Sequence, residues 1–153
     1  MEFTELGLLK KLIKAITELG YTTPTPIQEQ VIPHILADKG DLVGLAQTGT
    51  GKTAAFGLPL IQKIIPEDTA TQGLILCPTR ELCLQSYQFL KTYTKYIKRI
   101  RVSAVYGGSN IVQQIKELEK GAHIIVATPG RLLDLVKRKK ADISMLKYFI
   151  LDE

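Results

Sequence analysis

The sequence predicts an α/β fold with a mostly parallel sheet and helices on both faces, and three observations carry that prediction. Short apolar runs at Gly73–Cys77, Val102–Tyr106, Ile124–Ala127 and Tyr148–Leu151 alternate with longer stretches of helical periodicity. The runs show little polar alternation, as strands buried on both faces do. Each of them, like the earlier run Leu42–Leu45, stops at a Gly, Pro, Thr or acidic cluster of the kind that collects beyond the carboxyl ends of parallel strands.

Composition sets the outer limits. A chain of 153 residues with 45% hydrophobic and 23% charged residues fits one folded domain and excludes a disordered polypeptide. Its 20 Lys+Arg against 15 Asp+Glu give a net charge of +5, a mild basic balance that favours an anionic partner such as nucleic acid. Cys77 and Cys83 match no CxxC or Cys/His ligand pattern, so a reduced intracellular thiol pair is expected rather than a metal site or a disulfide. No long apolar run opens the chain and none has the length of a membrane span, so a cytoplasmic protein without membrane contact is expected.

Taken in order, Leu8, Leu9, Leu12, Ile13, Ile16 and Leu19 lie on one stripe of a helix over Phe3–Leu19, and Gly20 stops it. Pro24 keeps its predecessor extended. Thr25 caps a second helix with Pro26 at its first position and Gln28 in the capping-box place, running towards Leu36. The primary amide of Gln28 has two readings that spacing leaves open: half of a capping box, or a reader of the adenine N6/N7 edge.

The stretch Ala46-Gln47-Thr48-Gly49-Thr50-Gly51-Lys52-Thr53 follows Leu42–Leu45 and precedes a helical stretch to Ile65. Strand, glycine loop and helix come in the order a phosphate cradle requires, with the first position of GxxxxGK[ST] occupied by alanine. Its backbone N–H groups can curl inward, Lys52 can reach the β and γ phosphates, and the Thr53 hydroxyl can hold Mg²⁺.

Farther on, Pro66–Gln72 reads as a polar connection and Thr79 as the cap of a helix from Arg80 to about Ile97 with a basic end. Gly107-Gly108 closes the next strand. A helix spans Asn110–Lys120, and Thr128-Pro129-Gly130-Arg131 opens another through Val136. Thr79/Arg80 and Thr128/Arg131 each combine a hydroxyl, free N–H groups and a cation, which grip phosphate oxygens without regard to base. Asp152-Glu153 ends the last strand. Downstream of a phosphate loop, Asp152 can hold a metal through its water shell and Glu153 can orient or deprotonate water.

These stretches together resemble the first RecA-like domain of the DEAD-box ATP-dependent RNA helicases over essentially the whole sequence. Phe3 and Gly20-Tyr21 through Gln28 resemble the Q motif of that family, Ala46–Thr53 motif I, Pro78-Thr79-Arg80-Glu81-Leu82 motif Ia, Gly107-Gly108 the GG element, Thr128–Arg131 motif Ib, and Asp152-Glu153 the first half of motif II. The resemblance implies a cofactor set of ATP and Mg²⁺. Phe3, Tyr21, Gln28 and the loop Ala46, Gln47, Thr48, Gly49, Thr50, Gly51, Lys52 and Thr53 would bind ATP. Thr53 and Asp152 would serve the metal, and Lys52, Asp152 and Glu153 the hydrolysis. RNA would run along Thr79, Arg80, Gly108, Thr128, Gly130 and Arg131. Cys83 and His123 stand where the family usually has alanine and commonly has aspartate.

The remainder of motif II and a second RecA-like domain lie outside this sequence, so this piece is expected neither to unwind RNA nor to turn over ATP appreciably, and uncovered apolar faces are expected to promote self-association. Two other functions stay open on the sequence: a non-catalytic RNA-binding or regulatory module, and a P-loop ATPase of another class.

Overall fold

Four parallel strands form one sheet in the order β2-β3-β1-β4, with β1 at Gly73–Leu76, β2 at Val102–Val105, β3 at Ile124–Ala127 and β4 at Tyr148–Leu151. The computed structural model describes all residues from Met1 to Glu153. Six α-helices accompany the sheet: α1 Lys10–Glu18, α2 Pro26–Leu36, α3 Lys52–Lys63, α4 Arg80–Tyr93, α5 Ile111–Glu119 and α6 Pro129–Lys137. The chain divides into two compact units, Met1–Lys63 with Phe89–Lys98, and Ile64–Gln88 with Arg99–Glu153.

In the sheet-bearing unit, register explains the core. Ile125 lies between Ser103 and Leu74, and Ala127 between Val105 and Leu76, so these residues share one sheet face. Leu132 and Leu135 of α6 pack on that face, joined by Ile111, Ile115 and Leu118 of α5. Burying a Leu or Ile side chain contributes roughly 1.5–3 kcal/mol, which is what offsets the entropy of ordering such short strands. The same rows continue to Phe149 and Leu151 on β4, where cover runs out: these side chains are 56% and 69% exposed. The expectation of strands buried on both faces therefore holds for β3 and fails for β4, whose side chains lie beyond the cover given by α5 and α6, while the other edge strand, β2, is buried under it.

Two polar side chains stitch the entry to β1. Gln72, fully buried, accepts from Ile65 N–H at 2.9 Å and donates to the Ile65 and Asp68 carbonyls, both at 2.9 Å. His123 accepts at Nδ1 from Arg101 N–H at 3.0 Å, which places its proton on Nε2, 3.0 Å from the Pro66 carbonyl. The polar connection Pro66–Gln72 is thus held by these side chains together with the backbone bonds of Gln72 to His123, Lys147 and Tyr148.

In the helical unit Leu12, Ile16, Ile32, Leu58 and Ile61 are fully buried. The single helix expected over Phe3–Leu19 is instead a 3₁₀ turn, Phe3–Leu6, then α1. Gly7 at φ 86° ends the turn and Leu9 is extended. Gln62 takes both freed backbone groups, accepting from Leu9 N–H at 2.8 Å and donating to the Gly7 carbonyl at 3.0 Å. Helix α4 stops at Tyr93 rather than near Ile97, where the Thr94 hydroxyl bonds back to the Lys91 carbonyl at 3.0 Å and competes with the helix ladder.

The run Leu42–Leu45 is not a strand. No member of the sheet pairs with it, and Val43 and Leu45 are 84% and 89% exposed. Apolar composition alone does not make a strand, because a strand is stable only with a partner for its backbone groups and cover for its side chains.

Candidate functional site

Helix α3 begins at Lys52, directly after a loop whose shape depends on two glycines. Gly49 and Gly51 stand at φ 81° and 82°, a left-handed conformation that costs an L-residue of ordinary type roughly 1–2 kcal/mol. The Thr50 hydroxyl donates to the Gln47 carbonyl at 2.5 Å, closing the loop on itself. Ala46, Thr50, Gly51, Lys52 and Thr53 are half-buried, while Gln47, Thr48 and Gly49 are exposed. A curled loop feeding the N–H groups of a helix start is a receptor for phosphate oxygens, and no apolar side chain stands above Gly49.

Gln28 ties this loop to α2. Its Oε1 accepts from Thr25 N–H at 2.9 Å, the capping-box bond, and its Nε2 donates to the Gly51 carbonyl at 3.1 Å. The side chain is 2% exposed. One amide therefore does the capping work, and it also holds the glycine loop in place. A primary amide still has one N–H and one lone pair beyond these two bonds. Phe3 packs on Tyr21 with ring centroids 6.5 Å apart, and the Tyr21 hydroxyl lies 3.4 Å from that of Tyr93.

The sheet-bearing unit gathers the remaining predicted residues along one edge. Because all four strands are parallel and adjacent, the segments that follow them emerge on the same side: Thr79-Arg80 after β1, Tyr106–Asn110 after β2, Thr128–Arg131 after β3, and Asp152-Glu153 after β4. Thr79 accepts at Oγ1 from Leu82 N–H at 3.2 Å and so caps α4. Thr128 occupies the capping position of α6 and Gly130 is exposed in its first turn.

Two arginines hold the Tyr106–Asn110 loop. Arg80 Nη1 donates to the Gly108 carbonyl at 3.2 Å, and its guanidinium lies 5.2 Å from the Tyr106 ring centroid. Arg131 donates to the Ser109 carbonyl from Nη1 and Nη2, at 3.3 and 3.2 Å. Gly108 at φ 77° lets Arg80 in, since a Cβ there would stand 3.1 Å from Arg80 Nη1. Much of the basic run after α4 is engaged elsewhere: Lys95 pairs with Glu18 at 2.6 Å and Arg99 with Glu67 at 2.9 Å. The hydrogen bonds from Lys95 and Tyr96 hold the Glu18 carboxyl below the usual carboxylate range.

At the end of β4, Asp152 Oδ2 accepts from the buried Ser86 hydroxyl at 3.2 Å. Burial, and then the Asp152 charge, pushes the Cys77 thiol up to about 11, and burial pushes Cys83 up to about 12. Both thiols are buried and unlinked.

Sequence reasoning passed over Ser86 and Gln114. Gln114 is 7% exposed and lies on the Ile111, Ile115, Leu118 stripe of α5. A polar residue inside an apolar helical stripe was the available signal.

A profile of the DEAD/DEAH box helicases matches residues 25–153. The DEAD-box ATP-dependent RNA helicase CshA of Streptococcus pneumoniae is 51% identical over 153 residues, covering 100% of this chain and 29% of that relative. Among solved structures, a DEAD box protein from Methanococcus jannaschii matches with a TM-score of 0.93 and 42% identity, over 100% of this chain and 41% of its own. Dbp5 of S. cerevisiae, bound to RNA and ADP BeF3, matches with a TM-score of 0.87 and 36% identity, over 99% of this chain and 38% of its own. The chain thus spans less than a third of the length of the curated relative.

Proposed function

The chain belongs to the DEAD/DEAH box helicase family, and from that premise we propose that the polypeptide carrying it is an ATP-dependent RNA helicase in which residues 1–153 form an incomplete N-terminal RecA-like domain. This piece binds adenine nucleotide and RNA backbone and does not unwind RNA by itself. The observation that carries the reading is the bond between Gln28 and the Gly51 carbonyl, because it couples an adenine-selective amide position to the phosphate loop.

Lys52 and the loop N–H groups receive the phosphates. Thr53 and Asp152 serve Mg²⁺, and Glu153 orients or deprotonates the attacking water. The spare N–H and lone pair of Gln28 face adenine, with Tyr21 stacking near the base and Phe3 behind it. Thr79, Arg80, Gly108, Thr128, Gly130 and Arg131 follow the RNA backbone, a mode of contact that does not read base identity. Our reading includes a cytoplasmic location, which the two buried unlinked thiols support because they suit a reducing compartment.

The test is ATP hydrolysis by a polypeptide extended past Glu153, with and without RNA. Stimulation by RNA is expected, as is loss of preference for ATP over GTP in Gln28→Ala. Hydrolysis indifferent to RNA returns the reading to a P-loop ATPase of another class. RNA binding without hydrolysis returns it to a non-catalytic RNA-binding or regulatory module.

A further inference from the structure

Gln114 is the polar residue whose burial the fold leaves unexplained until its partners are followed. Its Oε1 accepts from Tyr106 N–H at 3.3 Å and its Nε2 donates to the Tyr106 carbonyl at 3.1 Å. One side chain therefore satisfies both backbone groups of the residue where β2 turns into the Gly107-Gly108 loop. The same Oε1 also accepts from Arg131 Nη1 at 2.9 Å. Strand end, loop and arginine meet on one amide.

Donor bookkeeping on Arg131 shows what this does. A guanidinium has five N–H groups in a rigid plane. The Ser109 carbonyl takes the inner pair, one from Nη1 and one from Nη2, and Gln114 takes the outer N–H of Nη1. What is left is Nε–H with the outer N–H of Nη2, the two parallel donors on the other edge of the plane. That pair is the side-on fork that matches two oxygens of a phosphate.

We propose that Gln114 is a positioning residue for RNA binding: by occupying one edge of Arg131 and pinning Tyr106, it presents the opposite edge of that guanidinium to a backbone phosphate. The proposal rests on the reading of this sheet edge as an RNA path. It gives the Tyr106–Asn110 loop a part in the site, since the loop's own Ser109 carbonyl completes the orientation of the arginine. Arg80 holds the same loop from Gly108 and lies beside the ring of the Tyr106 that Gln114 pins.

The experiment is binding of a short labelled oligouridylate to the intact protein, measured by anisotropy over a salt series, for Gln114→Met, Gln114→Ala, Arg131→Ala and the Gln114→Met/Arg131→Ala double variant. Met keeps the length and volume of Gln while removing its polar atoms, and circular dichroism of each variant establishes that it is folded before its binding is read. Gln114 carries no charge, so a structural role alone leaves the salt dependence unmoved. Loss of one phosphate contact to a single strand lowers the slope of log K against log salt by about 0.7. Gln114→Met is expected to weaken binding about tenfold and to lower the slope by that amount, as Arg131→Ala does. The double variant is expected to add little further. If Arg131→Ala lowers affinity and slope while Gln114→Met lowers neither, the proposal is wrong and the RNA path stands. If Arg131→Ala changes nothing, the path and the proposal fall together.

Discussion

Replacing Gly51 by alanine separates the two things this glycine does. A Cβ there would stand 2.3 Å from Gln28 Nε2, 3.2 Å from Gln28 Cδ and 3.5 Å from Thr25 Oγ1, on a backbone at φ 82°. The left-handed conformation alone costs alanine about 1 kcal/mol. Gln28 must also move, giving up its bonds to the Gly51 carbonyl and to Thr25 N–H, each worth about 1 kcal/mol. The total is about 3 kcal/mol. Gly49 provides the control: at φ 81° nothing lies within 4 Å of its added Cβ, so Gly49→Ala meets only the backbone term, about 1 kcal/mol. Urea unfolding followed by circular dichroism measures both. In a Gln28→Ala background the two bonds are already gone, and Gly51→Ala is expected to cost only the backbone term, a coupling of about 2 kcal/mol. Equal destabilisation by Gly51→Ala and Gly49→Ala, or additivity with Gln28→Ala, refutes the link between the amide and the loop.

Gln72→Leu strands the Ile65 and Asp68 backbone groups and is expected to destabilise the sheet-bearing unit by about 3 kcal/mol, read from the urea midpoint; a change under about 0.5 kcal/mol contradicts the stitching role. The raised thiols of Cys77 and Cys83 bind protons in the folded state that the unfolded chain has lost above about 9, so their contribution is complete below pH 9 and declines as pH rises towards 11 and 12. A Cys77→Ala/Cys83→Ala variant is expected to show a shallower fall in stability over that window, and identical alkaline profiles count against it. The exposed Phe149 and Leu151 predict self-association that Phe149→Ser/Leu151→Ser reduces, and a monodisperse wild-type monomer in size-exclusion chromatography refutes this.

What could be read from the sequence was what local chemistry decides. The capping box of Thr25 and Gln28, the helix start at Lys52, the Asn110 cap whose side chain receives Val112 and Gln113 N–H, and the core strand Ile124–Ala127 each depend on a few neighbouring residues, and each is found where the spacing places it. The α/β class followed from the alternation of such elements. Partnership is not local. Leu42–Leu45 has a strand's composition and no partner strand, while Phe149 and Leu151 lie on rows whose cover ends before reaching them. Gln114 bonds Tyr106 across eight residues and Arg131 across seventeen. The sequence by itself determined where most helices start and which residue types able to meet phosphate stand at those starts, because dihedral preference and side-chain donors belong to single residues. Only the tertiary structure decided which apolar runs find a ladder, which edge of Arg131 is occupied by Ser109 and Gln114, and that the Gln28 amide is bound to the Gly51 carbonyl. Those depend on distances between segments that no local pattern encodes.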